Sequence, residues 1–410
     1  MPGFFSASKV QSKIKTYLVP HCSQCGLHKH CQSPKMPVYG KGRQSILVLG
    51  ESPGESEDQR NRPFIGKSGQ LLCKSLRKFQ IDLDEDCWTT NSIICHPKDN
   101  RNPTVKELAY CRPNVMQAIQ ELQPKLILTF GKYAIQSLLE PFFTDSKHFA
   151  QVGKWVGWRI PFQPWNTWVC PNWHPSYVVR SLDERDGPVV ELLFEQYLES
   201  ALEKVGCRPW EQVPNYADEI ELLFDGREAA RILREFITDG GPISFDWETN
   251  RIKPDNADAE IVSCAVCWRG KRTIAYPMMG EVVQATRELL VSPCKKIGFN
   301  SLFETRWTRA KLGVDVNGWF HDGMLSAHHL DNRSGICSAE YQSLVRFGLT
   351  PYDHHIKPYL KSSDKSGVNR IRELDMRSLL EYNAMDSLME YRIAVSQRKE
   401  MKTGIIPDPW

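Results

Sequence analysis

The chain reads as an α/β protein of two domains, the first with helices on both faces of a mostly parallel sheet, a three-layer αβα arrangement. Three observations carry this. The runs Ile46-Leu47-Val48-Leu49 and Leu126-Ile127-Leu128-Thr129-Phe130 each end in glycine, at Gly50 and Gly131, as buried strands do where they stop at a turn. Each is followed by a helical pattern, and strands alternating with helices imply a parallel sheet covered on both sides. Gly206 to Asn215 holds two prolines and no periodicity, so it reads as a linker. The expected boundaries are 1–205, a linker at 206–216, and a second domain over 217–410.

Length and composition set the bounds. The 410 residues leave room for two full cores. Apolar content of 41% and charged content of 25% are ordinary for a soluble globular protein. A net charge of +3 does not announce a nucleic-acid binder, so any DNA contact must come from local patches. No apolar run approaches 18 residues, so no membrane partner is expected. The N-terminus lacks a signal-peptide pattern, and thirteen scattered cysteines, an odd number, suit a reducing, cytoplasmic compartment.

In chain order, residues 1–21 are polar and weakly patterned, and Cys22-Ser23-Gln24-Cys25 opens the ordered part. After the strand at 46–49, a helix is expected across 68–80 and a strand at Ser92-Ile93-Ile94, ending at Cys95-His96-Pro97. Thr104 and Glu107 form a capping box for the next helix. Trp168-Val169-Cys170-Pro171 is a further strand, leading to Asn172-Trp173-His174-Pro175-Ser176-Tyr177, and a helix spans about 188–205. In the second domain, a helix over 227–238 precedes strands at 243–249 and 261–268. Helices follow at 301–312, 323–330, 338–347 and 376–398, and 361–370 reads as a polar, mobile loop.

The stretch from Gly50 to Leu72 carries the densest chemistry of the first domain. Pro53 and Gly54 hold the turn after the strand open, which places Glu51, Glu55 and Glu57 at the mouth of the sheet, where ligands of open α/β sheets bind. Phe64, close to Gly66, is a presented aromatic. An acidic loop with such a ring suits a flat neutral ligand whose chemistry develops positive charge nearby. Cys22 and Cys25 form a C-x2-C pair, and Cys95 and Cys111 are separated by fifteen residues. Two such pairs can hold an iron–sulfur cluster or a zinc ion, and the cysteines alone do not choose.

These motifs together resemble the iron–sulfur uracil-DNA glycosylases called family 4. That family shows C-x2-C, a GE(A/S)PG loop, RPFxGxxGQLL, TNxxxC, a second cysteine after fifteen residues, and HPSY. This chain has Gly50 to Gly54, Arg62 to Leu72, Thr90-Asn91, Cys95, Cys111 and His174 to Tyr177 in that order. The resemblance implies a 4Fe-4S cluster on Cys22, Cys25, Cys95 and Cys111; Cys31 has no place in the pattern. A base inside a duplex is unreachable, so the enzyme flips it out or uses single strands. Phe64 would stack on the ring, Asn91 would read the uracil edge, and His174 would stabilise charge building on the uracil. Glu51, with Glu55 or Glu57, would favour the cationic sugar or orient water. Gly50, Pro53, Gly54 and Ser176 complete the expected substrate contacts. Ser52 stands where other uracil glycosylases carry a water-activating Asp, which leaves the general base open.

The second domain holds a second carboxylate set. Asp246 and Glu248 lie two apart on a strand and share a face, and Tyr382 and Asp386 lie four apart on one helix face. Glu304 stands at a helix start. In order, these resemble the tyrosine-type DEDD proofreading exonucleases attached to family A DNA polymerases. Phe245 to Thr249 match FDxET, Asn300 to Phe303 match NxxFD with Glu304 in place of Asp, and Tyr382 and Asp386 match YxxxD. The resemblance implies an RNase H-like mixed sheet and 3′→5′ hydrolysis with two Mg²⁺ or Mn²⁺ ions held by Asp246, Glu248, Glu304 and Asp386, with Tyr382 orienting water. Asp322 reads as a helix N-cap instead. Lys74, Arg77 and Lys78 form a basic helix face that could meet DNA.

The domain order resembles the front part of some bacteriophage family A DNA polymerases. It implies uracil-containing DNA and 3′ ends as partners, a separate DNA polymerase or replisome component as another, and the host cytoplasm as the location if phage-encoded. The competing reading makes the first domain a non-catalytic uracil- or DNA-binding module that serves the exonuclease or a separate polymerase.

Overall fold

The computed structural model describes residues 20–143, 146–362 and 367–402. The weakly patterned start before residue 20, part of the loop expected mobile at 361–370, and the final eight residues lie outside the described residues. The chain forms two compact units, one from residues up to 214 with 344–350, the other from 215–343 with the rest of the chain after 350. The segment 344–350, expected in the second domain, thus groups with the first unit, where Gln163 Nε2 donates to Phe347 O at 2.8 Å. The aperiodic stretch after Gly206 is not free either: Trp210 N donates to Asn166 Oδ1 at 3.1 Å.

In the first unit the strands are β1 (Ile46–Gly50), β2 (Cys87–Asn91), β3 (Leu126–Phe130), β4 (Ile160–Phe162) and β5 (Thr167–Asn172), in spatial order β2-β1-β3-β5-β4. The first four in that order run parallel, and β4 pairs antiparallel with β5. Every residue of β1 and β3 is buried, as a parallel sheet covered on both faces requires. On one face Leu72 and Leu76 of helix Lys67–Lys78 and Phe194 and Leu198 of helix Gly187–Leu202 pack on Ile46, Val48, Leu128 and Phe130. Helix Val105–Leu122 starts at the expected capping box, with Thr104 N donating to Glu107 Oε2 at 2.8 Å and Glu107 N to Thr104 Oγ1 at 3.2 Å.

The strand expected at Ser92-Ile93-Ile94 is corrected: β2 lies just before it, at Cys87–Asn91. The N–H of Ser92 goes to Gly50 O at 2.9 Å and that of Ile93 to Glu51 O at 3.0 Å, but that of Ile94 turns away to Cys111 Sγ at 3.4 Å. The apolar side chain of Ile93 serves the thiol pocket rather than the sheet.

In the second unit β6 (Ile220–Leu222), β7 (Ile243–Thr249), β8 (Ile261–Trp268), β9 (Arg272–Pro277), β10 (Lys296–Gly298) and β11 (Trp319–Asp322) lie in the order β11-β10-β7-β8-β9-β6. β7, β8 and β9 form an antiparallel meander, and β10 and β11 continue parallel to β7. An antiparallel meander whose first strand is extended by parallel strands is the RNase H-like arrangement. Helix Met376–Glu400 lies on the sheet, with Leu380 and Ala384 on Ala265 and Ala275, and Ser244 Oγ donates to Ser387 O at 2.6 Å.

Candidate active sites

The parallel strands of the first unit end together, and the glycines there let side chains converge. Gly50 ends β1 opposite Asn91 of β2. A Cβ on Gly50 would lie 2.4 Å from Asn91 Oδ1 and 2.8 Å from Phe64 Cζ, so the bare backbone is what allows these groups to meet. Phe64 itself has φ 58, a left-handed conformation costly for an aromatic residue, and Gly69 makes room for it. A Cβ on Gly69 would fall 1.9 Å from Phe64 O.

Glu51 and His174 meet on the other side, across Gly131. Gly131 has φ 86, and a Cβ there would lie 2.3 Å from Glu51 Oε1 and 3.0 Å from His174 Cβ. Burial pushes the Glu51 carboxyl up to about 7, opposed by the N–H of Tyr133, which donates to Oε1 at 3.5 Å, and by Arg180. Burial, helped by Arg180, lowers the His174 imidazole to about 4, so the ring is neutral at pH 7. Its Nδ1 accepts from Ser176 N at 3.2 Å and lies 2.7 Å from Ser176 Oγ, which leaves the ring proton on Nε2 as a donor. Ser176, expected to touch substrate, is also a partner of His174 and fixes its ring.

The acidic loop is partly corrected. Glu55 is exposed at the start of helix Glu55–Arg60. Glu57 does not face the site as a free carboxylate: it accepts from Gly54 N at 3.1 Å, Ile65 N at 3.0 Å and Gly66 N at 2.7 Å. It ties the turn after β1 to the segment that presents Phe64. Asp58, which sequence reasoning passed over, is buried and accepts from Gln32 N at 2.9 Å and Ser33 N at 2.7 Å. Pro53 is buried beside them.

The four cysteines come together. Cys22, Cys25, Cys95 and Cys111 line one small pocket with Leu27, Ile93 and Ile94. Lys35 N donates to Cys95 Sγ at 3.2 Å, and Ile94 N to Cys111 Sγ at 3.4 Å. Burial pushes the Cys95 thiol to about 12 and the Cys111 thiol to about 11. Only a bound cation makes such thiols into thiolates at neutral pH, and backbone donors aimed at sulfur suit thiolates. The set therefore fits a thiolate-held cluster. Cys31, left out on sequence grounds, also packs against this pocket, beside Cys95.

In the second unit, Asp246, Glu248 and Asp386 each offer a carboxylate oxygen, all within 4.8 Å of one another. Hard oxygen donors at that spacing fit a divalent cation. Burial raises all three carboxyls; Asp386 further raises Asp246, Asp246 then Asp386 raise Glu248, and Asp353 and Glu340 raise Asp386. Asp386 is pushed up to about 7, held back by hydrogen bonds from the hydroxyls of Tyr352 and Tyr382. Glu304 is buried nearby with Asp246 as its first charged neighbour, but stands outside that trio. Two positioning residues were missed: Tyr352, and Asn383, whose Nδ2 donates to Asp246 Oδ2 at 2.7 Å. Neither belongs to a motif, and the adjacency of Asn383 to Tyr382 was the sole signal. Asp322 is a helix cap as expected, accepting from Met324 N at 2.9 Å and Leu325 N at 3.1 Å.

The structure thus holds two unlike constellations: Asn91, Phe64, Glu51 and neutral His174 around the glycines that end the first sheet, and a carboxylate trio that fits a divalent cation in the second unit. Residues 37–200 match the family model of the uracil DNA glycosylase superfamily, and residues 223–402 match that of the 3′-5′ exonuclease. The type-4 uracil-DNA glycosylase of Pyrobaculum aerophilum is 32% identical over 164 residues, which cover 40% of this chain and 82% of that protein. That of Thermotoga maritima is 33% identical over 177 residues, covering 41% of this chain and 83% of that one. Through its first unit the chain belongs to the type-4 uracil-DNA glycosylase family, and its second unit is a 3′-5′ exonuclease domain. A DNA polymerase of Bacillus phage SP01 is 25% identical over 337 residues, covering 73% of this chain but 34% of that polymerase.

Glu57→Ala should free the three N–H groups it now holds. The expected result is a loss of about 1–3 kcal/mol in the unfolding of the first unit, with faster amide exchange at Ile65 and Gly66.

Proposed function

We propose that this protein removes uracil from DNA at the first site and shortens DNA from the 3′ end at the second. The observation that carries this reading is the convergence of Asn91 and Phe64 on Gly50, with Glu51 and neutral His174 flanking Gly131. A planar base held between Phe64 and the strand ends would present its edge to Asn91, which both donates and accepts. His174 Nε2–H would donate to a uracil carbonyl oxygen as the glycosidic bond breaks and negative charge moves onto the ring. Glu51, ionised, would sit where the sugar becomes cationic, and could hold the attacking water.

At the second site Asp246, Glu248 and Asp386 would hold the first divalent ion, with Glu304 serving the second. Two such ions, when bound, clamp in-line attack of water on a phosphodiester. Asn383 fixes the Asp246 carboxylate, and Tyr352 and Tyr382 fix Asp386. Tyr382, half-buried at the same carboxylate, would orient water. Cys22, Cys25, Cys95 and Cys111 would hold a 4Fe-4S cluster in a structural role. Through Asp58, helix Glu55–Arg60 is anchored on the segment that follows Cys22 and Cys25, so the cluster would steady the loop that presents Phe64. Similarity to the phage polymerase supports a place in DNA replication or repair, with a DNA polymerase as partner.

Variants separate the two activities. His174→Ala should abolish uracil release and leave DNA shortening intact, and Asp246→Ala should do the reverse, by several orders of magnitude. Equal, trace-level uracil release by the wild type and His174→Ala would favour a binding module for the first unit. Purified protein should be brown and contain iron and sulfide; zinc without iron would overturn the cluster assignment.

The pH dependence follows from Glu51. Its folded value is raised to about 7, so the useful carboxylate form accumulates only as pH rises through that value. His174 is already neutral above about 4 and adds no step in the same window. Uracil release from single-stranded DNA should therefore climb about tenfold per pH unit below 7 and level off above it. Glu51→Gln should be slow and flat across the range.

A further inference from the structure

Helix Met376–Glu400 carries one more acid than the exonuclease reading has used. Glu390 stands four residues beyond Asp386, on the same helix face. It is 4% exposed. Its carboxylate accepts from the backbone N–H of Phe299, yet Oε2 is buried without a hydrogen-bond partner. The charges that act on it are those of Asp246, Glu304 and Asp386. Glu304 is in the same condition: 2% exposed, its Oε2 buried and unpartnered, with Asp246 as its first charged neighbour. Asp322, the other acid near Glu304, is not open to a ligand, because it accepts from Ser301 N at 2.8 Å, Ser301 Oγ at 2.7 Å and the helix N-terminus it caps.

Two buried carboxylate oxygens without partners are costly unless something positive sits between them or a proton is taken up. The side chains that contact Asp246 and Asp386, Asn383 and Tyr352, are neutral and compensate no charge. Asp246 is common to both sets: it belongs to the trio with Glu248 and Asp386, and its charge acts on both Glu304 and Glu390.

We propose that Glu390 is a fifth carboxylate of this cleft and serves the second divalent-cation position together with Glu304 and Asp246. This rests on the exonuclease reading of the second unit. The Phe299 N–H steadies the Glu390 carboxylate and leaves Oε2 for the ion. Phe299 directly precedes Asn300, whose φ of 72 opens the helix that carries Glu304, so Glu390 also holds the backbone from which Glu304 projects. A glutamate at 304 is one methylene longer than the aspartate of the resembled motif, and a second carboxylate on the facing helix suits a position displaced by that length.

The test is a Mn²⁺ titration of the full chain, with free Mn²⁺ read by electron paramagnetic resonance. The wild type should bind two ions in the second unit. Glu390→Gln keeps the shape and the Phe299 acceptor, and should keep the first ion and bind the second at least tenfold more weakly. The Mg²⁺ concentration for half-maximal DNA shortening should rise in parallel, with uracil release unchanged. Glu390→Asp restores the charge and should recover part of the affinity. Metal-free unfolding separates folding from binding: Glu390→Gln should melt at or above the wild-type temperature, and Mn²⁺ should raise its melting point less than that of the wild type. Wild-type affinity for both ions in Glu390→Gln would overturn the proposal and leave Glu390 a protonated acid that only holds Phe299. A single Mn²⁺ in the wild type would overturn it too. No Mn²⁺ and no DNA shortening by the wild type would instead overturn the exonuclease reading itself.

Discussion

Both sites depend on carboxylates buried at a sheet, with no basic side chain in contact among the described residues. A carboxylate taken out of water without a partner is expensive, and the fold must either compensate the charge or leave the group neutral. The first unit uses one such group, Glu51, and offsets it weakly, with an N–H of helix Lys132–Leu139 at 3.5 Å and the more distant Arg180. That leaves Glu51 poised near neutrality. The second unit concentrates Asp246, Glu248, Glu304, Asp386 and Glu390 around neutral partners, and burial raises all five, so each must meet a cation or take up a proton. The same physical problem thus has two solutions, a lone carboxyl held near neutrality in the first unit and a carboxylate trio that fits a divalent cation in the second.

The loops over the first site are held by acids of a different kind. Glu57 and Asp58 are neighbours in sequence but point their carboxylates to opposite tasks. Glu57 binds the N–H groups that directly follow Phe64, and Asp58 those of Gln32 and Ser33 beyond the first cysteine pair. His96, next to Cys95, approaches Asp58 at 3.4 Å. The base pocket and the thiol pocket are therefore braced through one short helix. Backbone strain at Phe64 persists because Gly50, Gly69 and Glu57 leave it no other place.

Much of this was legible in the sequence. β1, β3 and β5 announce themselves as short apolar runs, and the ordered motifs around Glu51, His174, Asp246 and Asp386 name their sites. The strand misplaced at Ser92-Ile93-Ile94 shows the limit: an apolar run does not say whether it feeds a sheet or a thiol pocket, while the true strand, with Trp88, Thr89 and Thr90, looks polar because its end faces the site. β4, β6, β10 and β11 are too short to carry periodicity. Glu57 reads as a site acid because its three backbone partners, Gly54, Ile65 and Gly66, lie on both sides of its own short helix and leave no local pattern. Asn383 and Glu390 are hidden within a long helix, where only the adjacency of Asn383 to Tyr382 and the spacing of Glu390 from Asp386 set them apart.

The division into a metal-free and a metal-dependent site is tested most directly on one oligonucleotide, single-stranded, labelled at the 5′ end and carrying a central uracil. It is incubated with the protein in EDTA or in Mg²⁺, then treated with alkali. Alkali-dependent cleavage at the uracil in EDTA, with a ladder from the 3′ end only in Mg²⁺, is the result expected of two separately powered sites. Cleavage at the uracil that requires Mg²⁺, or shortening from the 3′ end that persists in EDTA, would contradict it.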